Sequence, residues 1–499
     1  MTINPHDSPQ ARRTFLDQLD RIAALDETEQ DLVRLGQMPN LGRWLEQIES
    51  VGGCAQPIFV AGHKRTYDAA TGALIREYST RSEPGGRLAV RCRNRRASRC
   101  PSCSRLYQGD SYHLVRAGLV GGKGVPEHVR ENPRVFATLT APSFGSVHRV
   151  GECHRTRRGL CPHGLPRGCR TAHAEGDDAV GQALCPGCYD YVGHVLWNAH
   201  APRLWTAFRD NLYHHFAAAA GVQRSKIRKQ VRICAAKVAE YQARGAIHFH
   251  TVIRLDGSEG LGSAPPAWAS AELLIGAISS AAAAVNLSAP ASPAYGQRRL
   301  CYGGQIEAHA LTAGGDGGVS DDQVASYVAK YTAKGAHASG VIDHRIDDPD
   351  RIGKLRVSAH YRALVGTCWR LGEVPELAHL NLQAWAHTLG YRGHCITKSR
   401  SYSTTYRELR AERAAYTLRT LGLGDDAGTV SEAAWSFAGI GYTPGEAEIA
   451  AGIADDLYRG RRIARQLEPG WAGGARRDAA RTGHDHPDRQ ADPGGRDAD

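Results

Sequence analysis

The chain has 499 residues, 42% hydrophobic and 23% charged, a composition typical of a globular protein large enough for two or three domains. Residues 1–10 lack the layout of a signal peptide and no run of roughly 18 apolar residues occurs, which argues against a membrane protein and predicts a cytoplasmic one. The net charge is +11, and residues 51–170 hold 21 Lys and Arg against 7 Asp and Glu, or +14. This excess predicts an anionic polymer such as DNA as partner, with a merely basic surface as the alternative.

A first cysteine cluster lies in the basic segment 51–130, which follows an acidic segment, 1–50, predicted to be a helical preamble. Its members are Cys54, Cys92, Cys100 and Cys103. One Cys-x-x-Cys pair with two outlying cysteines has the ligand count of a structural tetrahedral zinc site. A redox-active pair is the alternative, disfavoured because no helix start is evident around the motif. We expect the neighbouring arginines to bind DNA: Arg93, Arg95, Arg96 and Arg99.

A second cysteine cluster, over 150–190, follows a short alternating strand at 135–140. Thirteen cysteines would be an odd disulfide set, and in a reducing cytosol their clustering favours metal binding. The potential ligands are Cys153, Cys161, His163, Cys169, His173, Cys185 and Cys188. Seven exceed the four that one zinc ion needs, so either some are idle or a second ion is present. Cys185 and Cys188 have knuckle spacing and are the firmest choice, with Cys161 and Cys169 chosen as partners.

A β-hairpin that presents two histidines on one face is predicted near the middle of the chain. Its strands span 231–242 and 246–253. Gly245 ends the three-residue loop, where a bulged hairpin needs a left-handed residue, and this register places Glu240 opposite His248 with His250 on the same face. Two imidazoles and a carboxylate suit a divalent metal with open positions. The alternatives are two surface histidines, or a one-residue slip that turns Glu240 away and leaves Glu307 or a water to complete the site.

Helical and basic segments flank this hairpin. Apolar residues four apart over 203–216 predict an amphipathic helix packed on a sheet, and the Ala-rich stretch 271–285 predicts another helix. Two basic groups are expected to contact the DNA backbone: Lys226, Arg228 and Lys229 before the hairpin, and Lys398 and Arg400 in the segment 391–406. For the second group a solvated loop is the equal alternative.

A helix with two tyrosines is predicted to begin at Ser320, which forms a capping box with Gln323. Tyr327 and Tyr331 are four residues apart and share one face, about 6 Å apart. Lys330 and Lys334 repeat this spacing on an adjacent face. An aromatic stripe in the core is the alternative, weakened because the two lysines make full burial costly.

The C-terminal part is predicted to be less regular. Residues 346–415 are helical and basic, and residues 416–467 form a partly helical extension. Gly, Arg, Asp and Pro dominate residues 468–499 with almost no apolar side chains, which predicts a disordered tail.

The order of these motifs resembles that of the HUH endonucleases of rolling-circle replication. More closely, four stretches resemble the RepSA-type replication initiators of actinobacterial plasmids and integrative elements: TLTAPSFG at 138–145, RGAIHFH at 244–250, YVAKY at 327–331 and GHCITKSR at 393–400. The resemblance spans roughly residues 50–415, including both cysteine clusters. It implies an α+β fold, with an antiparallel HUH palm over 131–345 flanked by helices, preceded by a cysteine-rich zinc module and interrupted by a second Cys/His cluster.

The resemblance also implies a function, the nicking of origin DNA by a tyrosine to leave a 5′-phosphotyrosine and a free 3′-hydroxyl. Mg²⁺ or Mn²⁺ at Glu240, His248 and His250 would assist, with Zn²⁺ structural. The expected partners are single-stranded or supercoiled origin DNA and, since no phosphate-binding ATPase loop occurs, a host helicase and DNA polymerase. We assign Tyr331 the initiating role because of its two neighbouring lysines, and Tyr327 the second cleavage. A relaxase or transposase, or a non-catalytic zinc-containing DNA-binding regulator, is the alternative.

Overall fold

The computed structural model describes residues 20–311, 320–333, 342, 344–420 and 428–467. The helices are α1 (Glu27–Gly36), α2 (Leu41–Ser50), α3 (Pro101–Val120), α4 (Tyr191–Ala219), α5 (Arg224–Ile227), α6 (Ala271–Ala283), α7 (Asp321–Ala333), α8 (Ala359–Leu371), α9 (Tyr406–Thr420) and α10 (Pro444–Leu467). The strands are β1 (Ile58–Asp68), β2 (Leu74–Ser79), β3 (Leu88–Val90), β4 (Arg134–Leu139), β5 (Gly151–Glu152), β6 (Ala172–His173), β7 (Val231–Tyr241), β8 (Ile247–Gly257), β9 (Leu287–Ser288), β10 (Arg299–Leu300), β11 (Ile306–Ala310), β12 (Ile396–Lys398) and β13 (Thr429–Ile440).

The chain divides into two units, one formed by residues 1–92 with 428–499 and the other by residues 93–427. The first unit contains a sheet in the order β13-β1-β2, with β3 also paired to β1. Its two chain segments are joined by the antiparallel pairing of β1 with β13, in which Thr66 and Ser431, 365 residues apart, are hydrogen-bonded through their hydroxyls at 3.1 Å. No local pattern in the sequence indicates a strand pair between segments so far apart.

The second unit is built on a five-stranded sheet in the order β11-β4-β8-β7-β12, with every neighbouring pair antiparallel. This confirms the predicted mixed fold of helices on an antiparallel sheet. Residues of α4, α6 and α8 pack into a large core with one face of the sheet. Residues of α3 and α7 pack on the opposite face, against Val238 and Val252. Alternate residues of each strand therefore point to two different environments.

Helix α4 is longer than its amphipathic pattern predicts. The predicted face of Leu204, Phe208, Leu212 and Phe216 is fully buried. The helix nevertheless begins twelve residues before 203, at Tyr191, where the Asp190 carboxylate accepts a hydrogen bond from the Gly193 amide. Residues 193–201 are buried on every side, so their sequence has no amphipathic period to detect.

The C-terminal part of the second unit also adds to the sheet. Within the segment 391–406, residues 396–398 form β12, which pairs with β7 through Ile396 opposite Val238. Lys334, Gly335 and the tail 468–499 lie outside the described residues. Within the described ranges, no helix is long and apolar enough to cross a membrane.

Candidate active site

The hairpin of β7 and β8 has the predicted register, with Glu240 directly opposite His248. Gly245 has a φ of +87°, which confirms the left-handed residue expected in its loop. A Cβ added there would also lie 2.8 Å from a methyl carbon of Leu389, which would have to shift, so it is chiefly the backbone conformation that favours glycine. The two-residue side-chain period then places Glu240, His248 and His250 on one face of the sheet.

These three side chains converge on one point. The Oε2 atom of Glu240 lies 3.0 Å from Nε2 of His248 and 3.0 Å from Nε2 of His250. The side chain of His250 is 4% exposed, while those of Glu240 and His248 are slightly open to solvent. Burial alone would raise the pKa of Glu240, but its hydrogen bonds to the two histidines outweigh this and hold that pKa below its ordinary value. Burial lowers the pKa of His250. Glu240 is therefore anionic and His250 is favoured as neutral, the forms that bind metal.

The separations between these atoms fit a metal ion. The two Nε2 atoms lie 3.2 Å apart. Two ligands at right angles around an ion at about 2.1 Å lie about 3.0 Å apart, close to the observed spacing. Two histidines and one carboxylate on one side of an ion leave its other positions open for a substrate. Glu307, which the sequence offered as an alternative ligand to Glu240, is exposed on β11 opposite Thr138 and is not part of this group.

Strand β4, which pairs with β8 on the side away from β7, supports His250. Thr138 faces His250 across the strand pair, and its hydroxyl lies 3.1 Å from Nδ1 of that histidine. The Phe136 ring is stacked parallel to the imidazole, with centroids 6.0 Å apart. These contacts fix the ring so that Nε2 points at Glu240. The sequence indicated the strand but not the supporting role of Thr138, which depends on the order of strands in the sheet.

Helix α7 brings a tyrosine to the same point. Its capping box is confirmed, with the Gln323 amide bonded to the Ser320 hydroxyl at 3.2 Å and the Ser320 amide to the Gln323 side chain at 2.9 Å. The Tyr327 hydroxyl lies 3.4 Å from Nε2 of His250, and its ring packs edge-on against Phe136. Tyr327 is 38% exposed. Its phenol therefore borders both solvent and the group formed by Glu240, His248 and His250, which we call the metal-capable group.

The other residues of this predicted helix motif are less fully described. Tyr331 belongs to the last turns of α7, but its side chain lies outside the described residues. Lys330 is on the exposed side of the helix. The prediction that Tyr331 initiates therefore stays a prediction, whereas the position of Tyr327 is an observation.

Two acidic residues anchor the start of α7. The Asp321 carboxylate accepts a 2.7 Å hydrogen bond from Arg134 of β4, whose side chain is 1% exposed and also donates to the Leu119 carbonyl. Asp322 pairs with Arg116 of α3 at 2.7 Å on the surface. The first turn of the tyrosine helix is thus tied both to the strand that supports His250 and to α3.

The residues predicted to bind DNA lie in several places. Lys226, Arg228 and Lys229 precede Val231, and nine residues of extended strand, roughly 30 Å, separate Val231 from Glu240. The guanidinium of Arg228 lies over the Tyr213 ring at 3.8 Å. Lys398 donates a 2.8 Å hydrogen bond to the Ser403 carbonyl, and burial lowers its pKa, so it holds the backbone of its own segment. The exposed members are Arg93, Lys226, Arg228, Lys229 and Arg400, while Arg95, Arg96 and Arg99 are half-buried.

The first cysteine cluster is divided between the two units. In the first unit, the Cys92 amide donates to Sγ of Cys54 at 3.3 Å. In the second, the Cys103 amide donates to Sγ of Cys100 at 3.4 Å. The expectation that no helix starts here is wrong, because α3 begins at Pro101 with Cys100 as its capping residue. A proline at the first helical position was an available sequence signal.

The second cysteine cluster separates into two groups of four. One contains His148, Cys153, Cys169 and His173, and the other contains Cys161, His163, Cys185 and Cys188. Each group could hold a metal ion. Cys161 therefore lies with the Cys185–Cys188 knuckle as expected, whereas Cys169 lies in the other group. His148 was not among the residues chosen from the sequence, because it precedes the cysteine-rich stretch.

The chain matches both a family model and a known protein. The RepSA family model, described as "Replication initiator protein, pSAM2", matches residues 40–455. The chain is 45% identical over 447 residues to a replication initiator protein of Streptomyces ambofaciens, which covers 87% of this chain and 95% of that protein. No solved structure matches the chain.

Proposed function

Since the chain belongs to the RepSA family of replication initiator proteins, we propose that it starts rolling-circle replication by nicking origin DNA with a tyrosine. The observation that carries this proposal is the 3.4 Å separation between the Tyr327 hydroxyl and Nε2 of His250, an atom of the metal-capable group. A carboxylate, two imidazoles and a phenol at one point are the parts that metal-assisted attack on a phosphodiester needs. We take the antiparallel sheet that holds them as an HUH palm.

The three metal-capable side chains, Glu240, His248 and His250, mark the position proposed for the scissile phosphate. Glu240, His248 and His250 would hold Mg²⁺ or Mn²⁺, which when bound supplies positive charge that offsets the charge of the phosphate and of the leaving oxygen. Thr138 and Phe136 keep the His250 ring in place. The site is partly open, so a DNA strand can reach it from the side where Tyr327 is exposed.

The phenol of Tyr327 supplies the nucleophile. Its oxygen forms a bond to phosphorus, the bond from phosphorus to the 3′-oxygen breaks, and the phenol proton is transferred so that the leaving oxygen becomes a 3′-hydroxyl. A tyrosine with a pKa of about 10 is roughly 0.1% ionised at pH 7, so stabilisation of the phenolate by nearby positive charge is needed. The 5′-phosphotyrosine conserves the bond energy for later resealing, and the 3′-hydroxyl is available to a DNA polymerase.

Two tyrosines allow two cleavages. Ending a rolling circle requires a second cut while the first tyrosine is occupied, and Tyr331 follows Tyr327 by one helical turn. The sequence favours Tyr331 for initiation because of the neighbouring lysines. The contact between Tyr327 and His250 favours the reverse order, and we therefore assign Tyr327 the first cleavage and Tyr331 the second.

The remaining parts serve DNA handling and folding. We propose that the exposed arginines and lysines bind the origin backbone, and that zinc ions stabilise the cysteine clusters. A host helicase would unwind the duplex, because the sequence has no phosphate-binding loop for ATP.

The test is a cleavage assay with a labelled origin oligonucleotide and Mn²⁺, run beside a binding assay. His250→Ala should abolish nicking and the covalent product while leaving binding largely intact. His309→Ala is the matched control, because His309 is an exposed histidine of β11, two strands away from β8 in the same sheet and outside the metal-capable group. It should retain both activities.

Two outcomes would contradict the proposal. If His250→Ala lost binding together with cleavage, the histidines would be structural. If wild-type protein bound origin DNA but never cut it, the protein would be a non-catalytic regulator. A relaxase or transposase would share the chemistry and differ in the DNA that it cuts.

A further inference from the structure

The segment 146–188 folds with almost no apolar core. Its regular structure consists of the two-residue strands β5 and β6 and one turn of 3₁₀ helix at Pro186–Cys188. Three of its large apolar side chains, Val150, Leu160 and Leu165, are exposed at 53%, 62% and 41%. The other three, Val147, Val180 and Leu184, are only half-buried. Its buried residues are Cys153, His173, Gly181 and Cys185. A segment that buries cysteine and histidine in place of apolar side chains needs another source of stability.

Metal ligation fits the geometry of the His148 group, which comprises His148, Cys153, Cys169 and His173. Their ligand atoms all lie within 4.8 Å of one another. Nδ1 of His148 lies 3.1 Å from Nε2 of His173 and 3.7 Å from Sγ of Cys153, and Nε2 of His173 lies 3.5 Å from Sγ of Cys169. Tetrahedral zinc, with bonds of about 2.0 Å to nitrogen and about 2.3 Å to sulfur, keeps its ligands about 3.3–3.8 Å apart.

A carboxylate supports one of these ligands. Nδ1 of His173 lies 2.7 Å from the Asp177 carboxylate, which leaves Nε2 directed at the group. Zinc-binding histidines commonly use their second nitrogen in this way, and the pairing fixes the orientation of the ring. The group therefore has both the ligands and the outer support of a zinc site.

The Cys161 group, which comprises Cys161, His163, Cys185 and Cys188, has the same character. Its ligand atoms also lie within 4.8 Å of one another, and Nδ1 of His163 lies 3.3 Å from Sγ of Cys188. With three thiolates and one imidazole it matches a common structural zinc composition. Cys185 and Cys188 are at the start and end of a single turn, which sets their spacing.

Along the chain the two groups alternate. The ligand pairs occur in the order 148 and 153, then 161 and 163, then 169 and 173, then 185 and 188. We propose that residues 146–188 form a cross-braced module that binds two zinc ions, the first and third pairs holding one ion and the second and fourth pairs the other. Each ion then closes a loop that contains ligands of the other ion, so the two ions together define the fold of the module.

The module adjoins the loop of the catalytic hairpin. The Gly181 amide donates to the His148 carbonyl at 2.8 Å, and the Asp190 amide donates to the Phe144 carbonyl at 2.7 Å where the module joins the rest of the unit. A Cβ added to Gly181 would lie 2.3 Å from the carbonyl carbon of Ala243, so the module packs directly on that loop. Zinc binding therefore supports the loop end of β7 and β8, and the zinc content of the protein can be measured without any cleavage assay.

Elemental analysis of the full-length protein tests the two-ion proposal. Cys153→Ser and Cys185→Ser, one from each group, should each lower the zinc content, and the double variant should contain two zinc ions per chain fewer than wild type. Cys301→Ser is the matched control, since Cys301 is an exposed cysteine outside both groups, and its zinc content should equal that of wild type. A loss of one ion or none from the double variant would overturn the proposal.

A second measurement uses the wild-type protein alone and does not depend on the variants folding. Cys153, Cys161, Cys169, Cys185 and Cys188 should resist alkylation in the native protein and become reactive together when a zinc chelator is added without reductant. Protection that ended only with a reductant would indicate disulfides, and reactivity before chelation would indicate free thiols. Either result would overturn the zinc assignment, whatever the cleavage assays show.

Discussion

Asp321→Asn should destabilise the second unit and the tyrosine helix far more than Asp322→Asn. Both acids lie in the first turn of α7, so both variants lose the same interaction with the helix dipole, worth roughly 0.3–1 kcal/mol. Asp321 is 17% exposed and pairs with Arg134, whose side chain is 1% exposed. Removing one partner of a buried pair leaves an uncompensated charge and costs about 3–5 kcal/mol. Asp322 and Arg116 are 62% and 42% exposed, and such a pair is worth about 0–1 kcal/mol.

Urea denaturation of the two variants measures this difference in the free energy of unfolding. The expected gap between Asp321→Asn and Asp322→Asn is about 2–5 kcal/mol. Hydrogen exchange should show faster opening of α7 in Asp321→Asn, and the covalent adduct should form more slowly because the phenol is held less firmly at His250. Equal loss of stability in the two variants would refute the view that buried Arg134 anchors this helix.

Two further predictions concern Lys237 and Thr138. Lys237 is buried with its ammonium 4.3 Å above the Phe249 ring, and burial lowers its pKa from 10.5 to about 8. The unfolded chain therefore binds more protons than the folded one between about pH 8 and 10.5, so the free energy of unfolding rises with pH in that window. Lys237→Met should stabilise the protein at pH 7 by about 3 kcal/mol, less the ~1–2 kcal/mol of the lost cation–π contact, and this gain should shrink by pH 9.5. A pH-independent difference between the denaturation midpoints of the variant and the wild type would contradict this. Thr138→Val removes the hydroxyl 3.1 Å from Nδ1 of His250 and should weaken Mn²⁺ binding about 10-fold in calorimetric titration, whereas an unchanged Kd would show that Thr138 does not orient that ring.

The hairpin and the start of the tyrosine helix could be predicted because their determinants are local. Alternation along β8 and a glycine-ended loop fix the register, and the register places Glu240 opposite His248. The capping box at Ser320 likewise depends on residues three apart. Where a structure is set by neighbours in the sequence, the pattern is sufficient to define it.

Features that depend on distant strands or on burial could not be predicted. The support of His250 by Thr138 depends on β4 lying beside β8, and the anchor between Arg134 and Asp321 joins residues 187 apart. Spacing alone cannot show which of the alternating Cys and His pairs share an ion. The sequence therefore did not identify His148 as a ligand, and it grouped Cys169 with Cys185 and Cys188 although Cys169 lies with His148, Cys153 and His173. The pairing of β1 with β13 is the same kind of long-range feature.

Identification of the tyrosine that becomes linked to DNA is the most direct test of the proposed chemistry. The wild-type protein would be incubated with origin oligonucleotide and Mn²⁺, and the covalent product digested with trypsin and analysed by mass spectrometry. Cleavage after Lys330 separates Tyr327 and Tyr331 into different peptides, so the two sites are resolved directly. We predict the first adduct on the Tyr327 peptide, its loss in Tyr327→Phe and its retention in Tyr331→Phe. An adduct found only on Tyr331, or retained when both tyrosines are replaced, would contradict the assignment of Tyr327 as the initiating nucleophile.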